Sequence, residues 1–220
     1  MGEVLVVTSG KGGVGKSTVA ANVGACLAQA GKTCLLTDMD MGLRSLDVIL
    51  GLENKVVFDL YDLSEGMCRP KQALISHPQI EGLYLLSASQ ATGSAGLNPE
   101  NVDKTVRVLA RRFDFVLIDC PAGIGRGFRV ACGCAERALL IETPEVVALR
   151  DAERVSALLS GMGAGACGFV LNRARYEQMV EDCPVSPAAF EKRLELPLLG
   201  LIPDAPESVV PGRPAALVPG

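Results

Sequence analysis

Aromatic residues are scarce in this chain. It has no tryptophan, three tyrosines, six phenylalanines and one histidine, His77, in 220 residues. With aromatics at 4% and hydrophobic residues at 49%, the core has to be aliphatic, and the chain is long enough to bury one without disulfides. No Cys-x-x-Cys pair occurs among the eight cysteines, and His77 has no neighbouring ligand, so a zinc site has no paired ligands to build on. Cys26 falls on a predicted helix, Cys34, Cys120 and Cys167 in or beside predicted strands, and Cys68 and Cys183 stand alone. These positions suit small buried hydrophobes in a reducing cytoplasm. Cys132 and Cys134 are the close pair, and an iron–sulfur site shared through them is the alternative. No long Lys/Arg run is present. The formal charge of −4 and pI of about 5.2 argue against a surface that holds nucleic acid by charge, and none is expected as a partner. No apolar stretch approaches the ~20 residues of a membrane-spanning helix. Val4–Val7 has no basic segment before it, so it does not read as a signal peptide. The expected location is cytoplasmic.

Apolar runs bounded by turn residues alternate with segments of helical period, the pattern of βαβ units around a parallel sheet. Strands are predicted at Val4–Thr8, Thr33–Thr37, Leu83–Ser87, Phe115–Asp119, Ala138–Thr143, Gly168–Asn172 and Leu198–Ile202. A helix is expected from about Lys16 to Ala30, with Val19, Val23 and Leu27 on one face and Gly31 as its stop. A second should run from Asn98-Pro99, as N-cap and first turn, to about Arg112, and a third from Glu145 to Leu159. The fold class is therefore α/β, a doubly wound, mainly parallel sheet with helices on both faces. One domain is expected over residues 1–204, followed by an irregular tail over 205–220, where prolines fix φ and remove backbone donors.

Between the first strand and the first helix lies Ser9-Gly10-Lys11-Gly12-Gly13-Val14-Gly15-Lys16-Ser17-Thr18, which satisfies G-x-x-x-x-G-K-[ST]. Glycines let such a loop curl so that consecutive N–H groups face phosphate oxygens, and the following helix adds the positive end of its dipole. Residues Gly10 to Thr18 are thus the expected ATP cradle, with Lys16 at the β- and γ-phosphates and the Ser17 hydroxyl on Mg²⁺. Asp119 ends the strand Phe115-Val116-Leu117-Ile118, where a Walker-B acid holds the shell of the metal. Asp38 and Asp40 follow the second strand. Ligands gather at the carboxyl ends of parallel strands, so all three acids can converge on the loop; plain turn formation is the alternative for Asp38 and Asp40.

Lys11 is a second lysine inside the loop, and this variant resembles the MinD/ParA/nitrogenase-iron-protein superfamily. The segment from Asp38-Met39-Asp40-Met41-Gly42-Leu43-Arg44 through Ser45-Leu46-Asp47-Val48-Ile49-Leu50-Gly51 resembles the MinD family of bacterial division-site ATPases, with Ser45 where that family usually has Asn. So do Val56-Val57-Phe58-Asp59-Leu60, Leu85-Leu86-Ser87-Ala88-Ser89-Gln90, Asp119-Cys120-Pro121-Ala122-Gly123-Ile124 and Thr143-Pro144-Glu145-Val146. The resemblance is strong over residues 3–156 and weaker over 157–204. It implies a slow, switch-type ATPase that dimerises on binding ATP and helps to place the division septum. It implies that Lys11 reaches phosphate across the dimer interface, that Asp40 positions the attacking water with Asp38 nearer the metal, and that Asn172 reads adenine. MinC-like and MinE-like proteins are the implied partners.

Two departures stand out. Gly125-Arg126 occupies the place of the carboxylate that usually follows Pro-Ala-Gly-Ile in this family. MinD proteins also end in an amphipathic membrane-targeting helix, whereas residues 204–220 show one cation, Arg213, and repeated prolines. Tight binding of this chain to lipid is therefore not expected; membrane contact would be weak or through partners, at the inner face of the cell membrane. The alternative functions are a regulator of flagellar number or position, an iron–sulfur carrier-type ATPase, and a module that holds ATP with little turnover.

Overall fold

A computed structural model describes residues 1–41, 43–90, 93, 96–180 and 183–204; the tail expected over 205–220 lies outside the described residues. The sheet order is β3-β4-β2-β5-β1-β6-β7-β8, where β1 is Glu3–Thr8, β2 Cys34–Asp38, β3 Ile75–Ser76, β4 Leu83–Leu86, β5 Phe115–Asp119, β6 Arg137–Glu142, β7 Gly165–Ala174 and β8 Leu198–Pro203. Every pairing is parallel except the short β3–β4 hairpin at one edge. Central strands of a parallel sheet are covered on both faces, so they are apolar throughout rather than alternating. Every residue of β2 is buried.

Helices cover both faces. On one side α1 (Lys16–Gln29) and α2 (Leu46–Ile49) enclose Leu36, Leu85 and Leu117. On the other lie α3 (Leu60–Ser64), α5 (Pro99–Leu109), α6 (Arg126–Gly133), α7 (Val146–Gly161) and α8 (Pro187–Leu194), around Leu35, Val116, Ile118, Leu140 and Phe169. A further short helix, α4 (Pro70–Ala73), leads into β3. Three aromatic rings are placed deep: Phe128, Phe169 and Phe190 are fully buried, and the last two stack with centroids 5.8 Å apart.

Local chemistry sets the helix ends. Asn98 accepts the Glu100 N–H at 3.0 Å with Pro99 in the first turn of α5, as its sequence predicts. Asp59 and Asp62 form a reciprocal capping box on α3. Helix α1 ends on Gly31 at φ 76°, with Lys32 N–H bonded to Leu27 C=O and Gly31 N–H to Ala28 C=O, a complete Schellman motif. His77 braces its own loop, its Nδ1 accepting the N–H groups of Gln79 and Ile80. Among the described residues no helix is long and apolar enough to cross a membrane.

Helix α1 lies close to the sheet because Gly24 has no side chain. A Cβ there would sit 2.9 Å from Leu36 Cδ2, which is itself fully buried, whereas a Cβ on Gly133 in α6 would meet nothing within 4 Å. Gly24→Leu should therefore destabilise the fold by about 1–3 kcal/mol through overpacking. Gly133→Ala should stabilise it by about 0.4–1 kcal/mol through the lower entropy of the unfolded chain. Urea denaturation of both variants measures the difference and its sign.

Candidate functional site

Strands β2, β5, β1, β6 and β7 run side by side in parallel, so their carboxyl ends open onto one edge of the sheet. Asp38 ends β2, Asp119 ends β5 in register with it, and Glu142 ends β6. Residues 9–15 leave β1 in the middle of this row and enter α1. Gly13 and Gly15 adopt φ of 78° and 97°, where any side chain is strained. A Cβ on Gly10 would lie 2.5 Å from the Asp151 backbone, and one on Gly15 would lie 2.4 Å from Asn172 Nδ2. The loop is thus pressed against α7 and β7 at its two glycine ends. Helix α1 has neither a side-chain cap nor an acidic residue in its first turn, so its positive end is not neutralised by its own residues.

The two lysines differ sharply. Lys16 is buried, and its Nζ donates to Ser9 Oγ at 3.2 Å; that hydroxyl donates in turn to Lys11 C=O at 2.6 Å. Lys11 points outward and pairs with Glu145 at 2.7 Å, with both side chains about half exposed. Glu145 also accepts from Thr143 Oγ1 at 3.2 Å, and its pKa is lowered chiefly by the Lys11 hydrogen bond. Gly12, Gly13 and Thr18 are exposed along the loop, and Val14 is buried beneath it with Val7, Val19 and Ile141.

The acids are held in three different ways. Asp38 accepts the N–H groups of Asp40 at 2.9 Å, Ser45 at 3.0 Å and Leu46 at 3.1 Å, and so ties the segment after β2 to the strand end. Burial nevertheless pushes its pKa up to about 6. Neither oxygen of Asp119 has a hydrogen-bond partner, although the residue is 1% exposed. Burial, then the charge of Asp38, pushes Asp119 up to about 7, with the Ser17 hydroxyl and Lys16 pulling the other way. Asp40 is half-buried and also raised by burial, opposed by Lys16. Beside it, a cavity of about 160 Å³ is lined by Met39, Asp40 and Met41 on one side and by Pro121, Ala122 and the start of α6 on the other.

An orphaned carboxylate in the interior is costly and calls for a cation. Ser45 donates to Ser17 Oγ at 3.0 Å, which leaves the Ser17 hydrogen and a lone pair for other partners. The oxygens of Asp119, Ser17 and Asp38 are hard donors, and this set fits Mg²⁺. Among the described residues no group of three or more His, Cys, Asp or Glu side chains could hold a metal alone.

Asn172 lies beside the loop. Its Nδ2 donates to Val14 C=O at 2.7 Å and its Oδ1 accepts Arg173 N–H at 3.0 Å, so one amide hydrogen remains for another acceptor. Arg126 begins α6 and donates to Leu97 C=O at 2.9 Å, bracing the loop before α5. Cys132 and Cys134 are turned into the core. Contact with Cys120, then burial, drives the Cys132 pKa far up, and burial pushes Cys134 up to about 12, so neither is a ready thiolate ligand. The sequence reading missed Glu142, Ser9 and Ser45. Glu142 was within reach of the rule that selected Asp119, an acid ending an apolar strand beside β1.

Comparisons agree with this geometry. A family model described as ParA, NUBPL iron-transfer P-loop NTPase, matches residues 1–203. The septum site-determining protein MinD of Thermotoga maritima is 41% identical over 212 residues, covering 96% of this chain and 78% of that protein. Bacillus subtilis MinD is 41% identical over 224 residues, covering 100% and 84%. Among solved structures, the MinC:MinD complex of Aquifex aeolicus aligns with a TM-score of 0.85 at 39% identity, over 94% of this chain and 83% of that one. MinD of Pyrococcus horikoshii with Mg-ADP aligns with a TM-score of 0.80 at 30% identity, over 94% and 84%. A loop with two lysines, a buried acid awaiting a cation, and these relatives lead to one conclusion: the chain belongs to the MinD/ParA family of P-loop ATPases.

Proposed function

We infer that this chain is a Mg²⁺-dependent ATPase of the MinD type, whose nucleotide state governs its part in placing the division septum. The observation that carries the reading is the row of strand-end acids facing a glycine loop that is backed by the buried cation Lys16. Bound Mg²⁺ would be held by Ser17, Asp119 and Asp38, and it supplies charge neutralisation at the phosphates. The loop from Gly10 to Thr18 cradles the triphosphate, with the amides after Gly10 facing it and Gly10 itself tied to Glu142. Lys16 exchanges Ser9 for phosphate oxygens, a short move for a side chain already in place. Asp40 orients the attacking water; it is held near Lys16 and beside a cavity large enough for rearrangement. Asn172 keeps its loop contact and offers its second amide hydrogen to the adenine edge.

Lys11 is the residue assigned to a second copy. Its ion pair with Glu145 is exposed, and such pairs are worth only about 0–1 kcal/mol, so release toward a partner's phosphates costs little. Dimerisation on ATP is supported by this arrangement and by family resemblance. A MinC-like partner is proposed because a MinD relative forms such a complex; a MinE-like regulator and peripheral contact with the inner face of the membrane rest on family resemblance alone. One domain over residues 1–204 completes the proposal.

The cleanest test of the loop is calorimetry with Mg-ATP on Lys16→Ala. Affinity should fall by roughly 100-fold, as expected when one member of a buried charge pair is removed. Near-wild-type binding would refute the assignment. Light scattering separates the other two residues: Lys11→Ala should stay monomeric with ATP, whereas Asp40→Ala should form a dimer that persists, and identical behaviour of the two would defeat the division of roles.

Asp119 yields a prediction of opposite sign for stability and activity. Its folded pKa of about 7 lies above the ordinary 3.8, so the folded state holds the proton more tightly than the unfolded one. That contribution is full below about pH 4 and is lost as pH rises through about 7. Asp119→Asn cannot ionise. In metal chelator at pH 8 it should be about 2–4 kcal/mol more stable than the wild type, at 1.36 kcal/mol per pKa unit, while Mg-dependent hydrolysis is lost. Thermal melts at pH 5 and pH 8 check the stability; a variant no more stable at pH 8 would show that Asp119 is not an uncompensated charge.

A further inference from the structure

Glu142 is fully buried at the end of β6, and nothing in the mechanism above uses it. Its Oε1 accepts the N–H of Gly10 at 3.0 Å, while its Oε2 is buried without a partner. Gly10 is thus held between this carboxyl on one side and the backbone of Asp151 on the other, a spacing that excludes any side chain at position 10. The first amide of the phosphate loop is therefore already occupied by an acid of the protein itself. The charged groups that act on Glu142 are Lys16 from the start of α1, which favours ionisation, and Asp151 from α7, which opposes it. Lys16 donates to Ser9 rather than to Glu142, so the acid has no bonded cation.

We propose that Glu142 is a positioning residue of the phosphate site: as a neutral carboxylic acid it anchors Gly10 in the nucleotide-binding conformation, and its ionisation sets an alkaline limit to nucleotide affinity. The proposal rests on the reading of residues 10–18 as the phosphate cradle. The physical reason is additive charge. A triphosphate brings several negative charges to the loop and draws Lys16 toward itself, which removes the one cation that tolerates an ionised Glu142. Binding at high pH must then either take up a proton or place like charges against one another without water between them. Burial already pushes the Glu142 pKa up to about 8 before nucleotide arrives, with Asp151 adding to the effect and the Gly10 amide and Lys16 opposing it. The neutral form prevails at pH 7, and bound nucleotide raises the value further.

The test is nucleotide affinity against pH, with Mg²⁺ and a non-hydrolysable ATP analogue, between pH 6.5 and 9.5. Wild-type protein should lose about tenfold in affinity over the alkaline limb, because one proton is taken up on binding there. Glu142→Gln, which keeps shape and the acceptor for Gly10 but cannot ionise, should bind at pH 9.5 about tenfold more tightly than wild type does. Glu142→Ala, which removes the acceptor, should bind about fivefold more weakly at pH 6.5, the worth of one such hydrogen bond. A Glu142→Gln protein that binds at pH 9.5 no better than wild type overturns the proposal, as does a Glu142→Ala protein of wild-type affinity at pH 6.5. The reading beneath it fails separately: wild-type protein that binds no nucleotide even at pH 6.5 defeats the phosphate site itself, whereas binding that is independent of pH defeats only the role of Glu142.

Discussion

Carboxyl groups held out of water at the ends of the central strands are the constraint on which this structure turns. Asp38, Asp119 and Glu142 end β2, β5 and β6, all within the interior, and the charge of the buried Lys16 acts on Asp119 and Glu142. Several kcal/mol per unpaired ion is at stake in such a setting. The chain meets this cost unequally. Three backbone amides stabilise Asp38, one stabilises Glu142, and Asp119 has none. That gradient separates their roles. An acid bound by three amides organises the chain around it and keeps at most part of its Oδ1 for a metal, and an acid without partners is the one that gains most from a cation.

The same energetics separates the two lysines. Lys16 is fixed by burial and by Ser9, so its charge belongs to the site whether or not phosphate is present. Lys11 is held by a surface ion pair that water and salt screen. The proposed role of Lys11 toward a second copy asks for a residue both ordered and cheap to release, and an exposed pair with the N-cap residue of α7 meets both conditions.

How much of this was legible in the sequence depends on length and period. Seven strands were predicted, six of them to within a residue at each end, because buried parallel strands are continuous apolar runs between turn residues; β7 extends beyond the predicted 168–172 to Gly165–Ala174, and the two-residue β3 was not predicted. The helices α1, α5 and α7 were legible from their stripes and caps. The short helices α2, α3 and α4 were not, because four or five residues cannot display a 3.6-residue period. Helix α6 was not predicted: Gly127 and Gly133 weaken its helical pattern, although Phe128, Val130, Ala131 and Cys132 are buried against the core. Helix α8 begins at Ser186-Pro187, an N-cap and first-turn pair of the same kind as the Asn98-Pro99 used for α5, but no helix was predicted there. In the site, motif spacing located the loop and the acids, yet it could not show that Asp38 spends its oxygens on backbone amides. Contacts of that kind come from chain segments that are distant until the sheet forms.

Those long-range contacts also decide which parts of the site can move. The phosphate loop is fixed from three strands at once: it leaves β1 directly, Gly10 is bound to Glu142 of β6, and Val14 is bound to Asn172 of β7. A loop held this way is preorganised, so its amides need little rearrangement to meet phosphate. The segments after β2 and β5 are different. Asp38 bonds Asp40 on one side and Ser45 and Leu46 on the other, and a cavity of about 160 Å³ lies between Met39–Met41 and Pro121, Ala122 and Gly125–Phe128. On the proposed function, nucleotide state is read by the loop anchored to three strands and expressed in the segments after β2 and β5, and the residues that divide the two are the strand-end acids with which the site begins.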